Sequence, residues 1–593
     1  MVRIGIEIHQ RLACGKLFCS CPSEMAATDV KPVLEIKRRL HPVFSELGEI
    51  DEASKAEFEK DKSFVYQVFR DYNCLVEMDE EPPHQLNPEA LHIALELAAH
   101  VNAKAVDELH VMRKIVIDGS NTSGFQRTTI VAMEGKLETS KGLIDIPLIA
   151  LEEESAGIVG TNDNETTYRL DRLGTPLVEI NTSPDIKDGE HLLEVAEKIG
   201  MMMRATGKVA RGLGTIRQDV NISTERGARV EIKGAQELRM LPLFVQNEVK
   251  RQEGLLKIID ELRERFGGKI KLEERATDVT ASFSLTKSPI ISKGIASGQS
   301  VFGLVLEKHA GLVGREIQPG KRYGTELSEY AKTTGVKGII HSDEDMGKYS
   351  ISESEITSLR EKLGVKNGDA FVLVVAPAGQ AKAALEKVLE RAKMDHVPGE
   401  TRRPNPDGTT SYMRPIPGRA RMYPETDVPP VRITKEMLEA VNKGETLEEK
   451  RERLLKLLGN KDMAEKMLKS RNLALFEKLV ESGAEPMLVA STIENTLVSL
   501  RREGAEIRQP ENILPELFTL YRNGGFVKAA IPEILREIAG GKTVQEAAKD
   551  YSIIRGKELE NIAAELKYDI KAIMSKYRTK VDPKELEKII KKK

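Results

Sequence analysis

Tryptophan is absent, and Phe, Tyr and Trp together make up only 4% of the chain. Rows of stacking rings for single-stranded nucleic acid are therefore not its means of binding. Cysteine is scarce too: four in 593 residues exclude a disulfide scaffold. No apolar run approaches the ~18 residues that a membrane-spanning helix needs. The opening MVRIGIEIHQR carries Arg3 and Glu7 and lacks the apolar core of a signal peptide. A cytoplasmic protein is expected, with no membrane partner. An excess of one charge is missing as well. Lys and Arg number 90 against 93 Asp and Glu, net −3, which excludes a globally basic nucleic-acid coat but leaves room for a local patch.

What is present describes a globular chain, 31% charged and 40% hydrophobic. At ~150 residues per domain its length predicts about four units. The first part is rich in alternating runs, the mark of half-buried strands. In RIGIEIH (3–9), Ile4, Ile6 and Ile8 take one face while Glu7 and His9 take the other. TIRQDVNIS (215–223) sets Arg217, Asp219 and Asn221 against Ile216, Val220 and Ile222. ARVEIK (228–233) sets Glu231 and Lys233 against Val230 and Ile232, and TERG joins the two as a hairpin. Helical periods fall at 88–104, 188–206 and 240–265. The pattern predicts an α+β domain on an antiparallel sheet. From 273 to 395 the texture changes to a compact mixed segment, read as an insert. A Pro- and Arg-rich stretch at 400–430 reads as a loop or linker, and helical periods dominate from 434.

Familiar nucleotide loops fail. GREIQPGKR (314–322) has one residue too many between its glycines, and GLGTIR (212–217) puts Arg217 where a third glycine belongs. The polar sheet face is more informative. Glu7 and His9 project to one side, ~6–7 Å apart. IDIPLIALEEES (144–155) ends in Glu152, Glu153 and Glu154, and Glu179 sits in the short apolar strand PLVEI. Carboxylates converging with an imidazole suit a divalent cation, magnesium above all. Each alone is equally an ordinary solvated strand position. Cys14, Cys19 and Cys21 cluster in ACGKLFCSC with Cys74 far off, a pattern that favours buried free thiols over a zinc knuckle. The last 33 residues hold ten Lys or Arg against five Asp or Glu, either a solvated end or a phosphate contact.

IGIEIHQRL (4–12), LEEESAG (151–157), RLDRLGTPLVEINTSPD (169–185), IRQDVNIS (216–223) and ETRR…YPETDVPP (400–430) together resemble the GatB/GatE family of tRNA-dependent amidotransferases. The segment before ETRR is similar to the insert of bacterial-type aspartyl-tRNA synthetases, as in the archaeal branch. The resemblance implies a cradle-like antiparallel catalytic domain (1–272 and 396–433). It also implies an aspartyl-tRNA-synthetase-like α/β insert (273–395), a helical domain (434–514) and a helical YqeY-like tail (515–593). It implies an ATP-dependent carbon–nitrogen ligase that converts glutamyl-tRNA(Gln) to glutaminyl-tRNA(Gln). By motif, His9, Glu154 and Glu179 match metal ligands for Mg2+, and Glu7, Glu153 and Glu231 match acids lining the site. Which of Glu153 and Glu154 is the direct ligand stays open. Arg217, Asp219 and Lys233 are added from the polar faces as ATP-site residues.

Cys19 and Cys21 match the first pair of a zinc site found in some relatives, but only Cys74 stands near the second, so whether these three bind zinc stays open. Nothing resembles an amidase, so ammonia is expected from a partner, the asparaginase-like glutaminase known as the D subunit, in an α2β2 assembly. Lys567, Lys571, Lys576, Arg578 and Lys580 are candidates to hold the tRNA body, several of them on one helical face. A tRNA-binding scaffold whose partner does the chemistry is the alternative from another class; it has no need of the acidic face.

Overall fold

A computed structural model describes residues 2–41, 58, 62–162, 164–416, 422–441, 445, 447–470 and 472–591. The protein is α+β and multidomain, divided into two compact units, Met1–Gly444 and Glu445–Lys593. Among the described residues no helix is long and apolar enough to cross a membrane.

The first unit is built on an eleven-stranded sheet. From one edge its strands run Thr410–Pro415, Glu400–Pro404, Val230–Ile232, Ile216–Ser223 and Arg3–Arg11. They continue through Pro176–Asn181, Gly142–Glu153, Phe125–Thr139, Val111–Ile115 and Met422–Pro424. The short Lys104–Ala105 pairs separately with Phe125–Thr139. Every pairing is antiparallel except Val230–Ile232 beside Glu400–Pro404. The expected hairpin of Ile216–Ser223 with Val230–Ile232 is present.

Strand alternation sends Ile4, Ile6, Ile8, Val178, Ile180, Val220 and Ile222 into one core. Helices Pro88–His100 and Gly189–Ala205 pack on that face. The Asn87 and Asp188 side chains cap them by accepting from backbone N–H groups of the first turn. The opposite face is left free for polar side chains.

The stretch 400–430, expected to be a loop or linker, instead gives strands to both edges of this sheet. Pro404, Pro415 and Pro424 each close a strand, and two of those strands are outermost, where a missing N–H costs little. Residues 417–421 of the stretch lie outside the described residues.

The segment 273–395 has its own four-stranded sheet, Thr277–Asp278, Ser300–Leu306, Ala370–Ala376 and Ile340–His341. The helix Leu241–Phe266 serves both bodies: Leu241, Phe244 and Val245 join the main core, and Leu255, Ile258 and Leu262 join the insert's. The second unit is helical from Leu447–Leu458 to Pro583–Lys591. The units part at 444/445 rather than at 433/434, and the boundary expected at 514/515 falls inside the helix Pro510–Arg522.

Candidate active site

With Ile4, Ile6 and Ile8 in the core, Glu7 and His9 must face the other way. Register then supplies their neighbours. Glu7 pairs with Asp219 on one side and Asn181 on the other, and His9 pairs with Arg217 and Glu179. Glu179 lies opposite Ala150, which brings Glu152, two residues on, to the same face. Glu231 enters opposite Asn221, and Lys233 follows it.

The imidazole of His9 is the hub. Its Nδ1 stands 3.3 Å from Glu152 Oε2 and 3.8 Å from Glu179 Oε2, and its Nε2 stands 4.0 Å from Asp219 Oδ2. The Glu152 contact lies off the line of the ring N–H, so Nδ1 is buried without a well-formed hydrogen bond. Two donor groups share His9, namely Glu7–His9–Asp219 and His9–Glu152–Glu179, and within each the atoms lie no more than 4.8 Å apart. Lys233 Nζ is 2.8 Å from both Asp219 Oδ2 and Glu231 Oε1, and Lys114 pairs with Glu152. Asn221 and Asn181 amides donate to Glu7 and Glu179 at 3.0 and 2.7 Å.

Burial opposes charging His9, yet Glu152, Glu179 and Asp219 outweigh it and raise the imidazole pKa to about 9. Burial and the neighbouring Glu152 push Glu179 up to about 7. Burial opposes ionising Glu152 as well, but Lys114 and His9 hold it well below the usual carboxylate range. Glu7 is raised by burial and then by Glu231 and Asp219. Two carboxylates that resist ionising, Glu7 and Glu179, beside two that are held ionised, Glu152 and Asp219, converge on one imidazole, and this is the donor set of an oxygen-loving divalent cation. The residues present fit Mg2+.

The other predicted residues are placed elsewhere. Glu152, not Glu154, completes the His9–Glu179 group. Glu154 follows the end of its strand and is held by Arg11 Nε at 2.8 Å and Arg217 Nη2 at 3.3 Å. Glu153, one residue from Glu152, takes the opposite face with Ile149 and Leu151, where it accepts from the Arg127 backbone N–H at 3.1 Å. Sequence reasoning passed over Lys114 entirely. It named Glu152 but did not use it, though alternation counted from Ile149 and Leu151 would have put that residue on the polar face.

Cys19, Cys21, Cys74 and Glu77 do converge, again within 4.8 Å. Cys19 Sγ is 2.9 Å from Glu77 Oε1, and the buried Lys16 Nζ reaches the same oxygen at 2.8 Å. Hydrogen bonds from Cys19 and Cys74 lower the Cys21 thiol pKa. Three thiols and a carboxylate at this spacing are a donor set that fits zinc, a question that sequence spacing left open.

The GatB/GatE catalytic domain matches residues 2–439. This chain belongs to the GatB/GatE family. Family members of similar length include the glutamyl-tRNA(Gln) amidotransferase E subunit of Pyrococcus furiosus, 47% identical over 95% of this chain and 91% of that protein. The protein of the same name from Methanocaldococcus jannaschii is 48% identical over 90% and 86%. That of Methanopyrus kandleri is 44% identical over 91% and 86%.

Proposed function

We propose that this chain is the ATP-dependent component of a tRNA-dependent amidotransferase, converting glutamyl-tRNA(Gln) to glutaminyl-tRNA(Gln) in the cytoplasm. The observation that carries the reading is the convergence of His9, Glu152 and Glu179 in a chain 44–48% identical to proteins of that name. A side-chain carboxylate does not yield to ammonia, because its leaving group is oxide. Its oxygen attacks the γ-phosphorus of ATP, ADP leaves, and a γ-glutamyl phosphate forms. Ammonia then attacks the acyl carbon, phosphate departs and the nitrogen sheds a proton. Such transfers are accelerated mainly by positioning and charge neutralisation, so no protein nucleophile is needed.

His9, Glu152 and Glu179, with Glu7 and Asp219 alongside, would hold Mg2+. When bound, the ion neutralises phosphate charge. Lys233 adds a fixed positive charge, and Glu231 takes up the proton lost by nitrogen. Ammonia comes from a glutaminase, the D subunit, in an α2β2 complex. The insert is the aspartyl-tRNA-synthetase-like body, and the helical unit with its YqeY-like end holds the tRNA.

The test combines the chain with its glutaminase partner, glutamine, glutamyl-tRNA(Gln), Mg2+ and γ-labelled ATP. Labelled phosphate released only with charged tRNA, together with glutaminyl-tRNA, supports the reading, and Glu179→Gln should abolish both. Turnover undiminished in Glu179→Gln removes that residue from the site. No turnover by the wild-type complex with tRNA still bound makes the chain a scaffold.

A further inference from the structure

The insert supplies none of the side chains on the acidic face, yet it grips the sheet edge beside them. The hairpin Glu400–Pro404 and Thr410–Pro415 forms that edge. Its inner strand lies beside Val230–Ile232 with Thr401 opposite Glu231. There Thr401 Oγ1 donates to Glu231 Oε2 at 3.1 Å, and the Lys233 backbone N–H donates to Arg402 O at 2.9 Å. Two residues of the acidic face are thus held by this one strand.

Insert side chains hold the hairpin from the other side. The Thr410 N–H donates to Gln318 Oε1 at 2.9 Å, and Lys321 Nζ donates to Thr410 O and Ser411 Oγ, both at 2.7 Å. The Tyr412 N–H donates to Glu329 Oε2 at 2.8 Å. Tyr330 stacks on Tyr412 with ring centres 4.0 Å apart, and its hydroxyl donates to Glu400 at 2.8 Å. Beneath lies a fully buried ion cluster. Glu326 accepts Arg251 at 2.6 Å and Arg391 at 3.1 Å and stands 3.4 Å from Arg402, while Arg251 reaches Glu400 at 3.1 Å. Through Glu326 the cluster ties Arg402 of the hairpin to Arg391 of the insert, and removing one partner of such a buried pair is costly. Packed, ion-paired contacts of this kind are how a distant element presets an active-site side chain.

We propose that the insert is a clamp that positions Glu231 and Lys233, with Lys321, Glu326 and Tyr330 as positioning residues acting through Thr401 and Arg402. The inference rests on the reading above that puts Glu231 and Lys233 in the reaction.

The test uses the full chain with its glutaminase partner. Tyr330→Phe keeps the ring stack and loses one hydrogen bond. Thr401→Val cuts the next link, and the double variant combines them. Lys321→Met is a separate, less buried arm. Tyr330→Phe and Thr401→Val should each lower kcat of amidation about fivefold, the rate equivalent of one hydrogen bond, and Lys321→Met, which loses two hydrogen bonds and an ion pair, by at least as much. KM for charged tRNA should not change, and the Lys233 amide should exchange with solvent faster in Tyr330→Phe and Lys321→Met. The double variant should be no slower than the slower single, because both cut one path. Multiplied effects, an unchanged kcat, or a lower melting temperature with an unchanged kcat would each overturn the clamp. A wild-type complex without amidation sinks the proposed function instead, and Lys233 exchange then decides the clamp alone: faster in Tyr330→Phe supports it, unchanged overturns it.

Discussion

Glu179 lies directly across the antiparallel pair from His9, with its Oε2 3.8 Å from the imidazole Nδ1. Each therefore sets the other's protonation, and a cation entering between them must compete with protons. His9 is charged below about 9, and Glu179 holds its proton below about 7. A metal ion needs both groups deprotonated. Affinity for Mn2+, a spectroscopic stand-in for Mg2+, should therefore rise with pH from below 7 to about 9. Calorimetry in buffers of different ionisation enthalpy should show proton release near neutral pH, reduced in His9→Gln to the share that comes from Glu179. The same pH dependence and the same proton release in wild type and His9→Gln would take His9 out of the coordination.

The neighbours Glu152 and Glu154 should fail in different ways. Glu152→Gln removes a donor from the His9 group and should lower cation affinity by ~10–100-fold, and it also leaves Lys114 without its carboxylate, so its melting temperature falls as well. Glu154→Gln leaves Arg11 and Arg217 without their shared carboxylate, a loss of about 1–3 kcal/mol in stability, while cation affinity holds. Cation titration of the two variants separates these outcomes. The reverse pattern would move the site to Glu154.

Much of the site was legible because a strand repeats every two residues. Ile4, Ile6 and Ile8 could not reach the core without turning Glu7 and His9 outward, and the same count exposed Asp219, Glu231 and Lys233. Periodicity names a face but not a neighbour or a strand end. The chain leaves its strand at Glu153, and the Glu154 N–H bonds to Thr175 O, so the last acid of LEEES swings to the arginines. Proline content misled at 400–430, since outer strands tolerate it. The tail lysines show a similar limit. Lys567 precedes the helix Ile570–Tyr577 and Arg578 follows it, so they do not share a helical face. Cys74 and Glu77 reach Cys19 only through tertiary folding, which spacing does not encode.

That convergence makes a chemical prediction. Cys19, Cys21, Cys74 and Glu77 should bind a single zinc ion per chain in protein purified without chelator. Elemental analysis should find it, and Cys74→Ser or Cys21→Ser should lose it along with thermal stability. Metal-free wild-type protein with three freely titrating thiols would instead leave Lys16 as the sole counter-charge of Glu77.

The division at 444/445 predicts how function separates on cutting. Residues up to 444 hold their own cores, one under the eleven-stranded sheet and one in the insert. A chain ending there should unfold cooperatively and bind Mn2+ as the full chain does, because every donor of the His9 groups lies within it. What it should lose is tRNA affinity. Lys567, Lys571, Lys576 and Arg578 are exposed in the second unit, and phosphate contacts from such residues weaken steeply with salt. Binding of glutamyl-tRNA(Gln) by the full chain should fall with rising salt, and Lys571→Glu with Lys576→Glu should reduce that slope. The shortened chain should bind weakly at every salt concentration. Equal tRNA affinity in the two chains would move the tRNA contact to the first unit. Cutting at 514/515 instead should give an aggregating product, because it severs the helix Pro510–Arg522 and strips cover from Leu514.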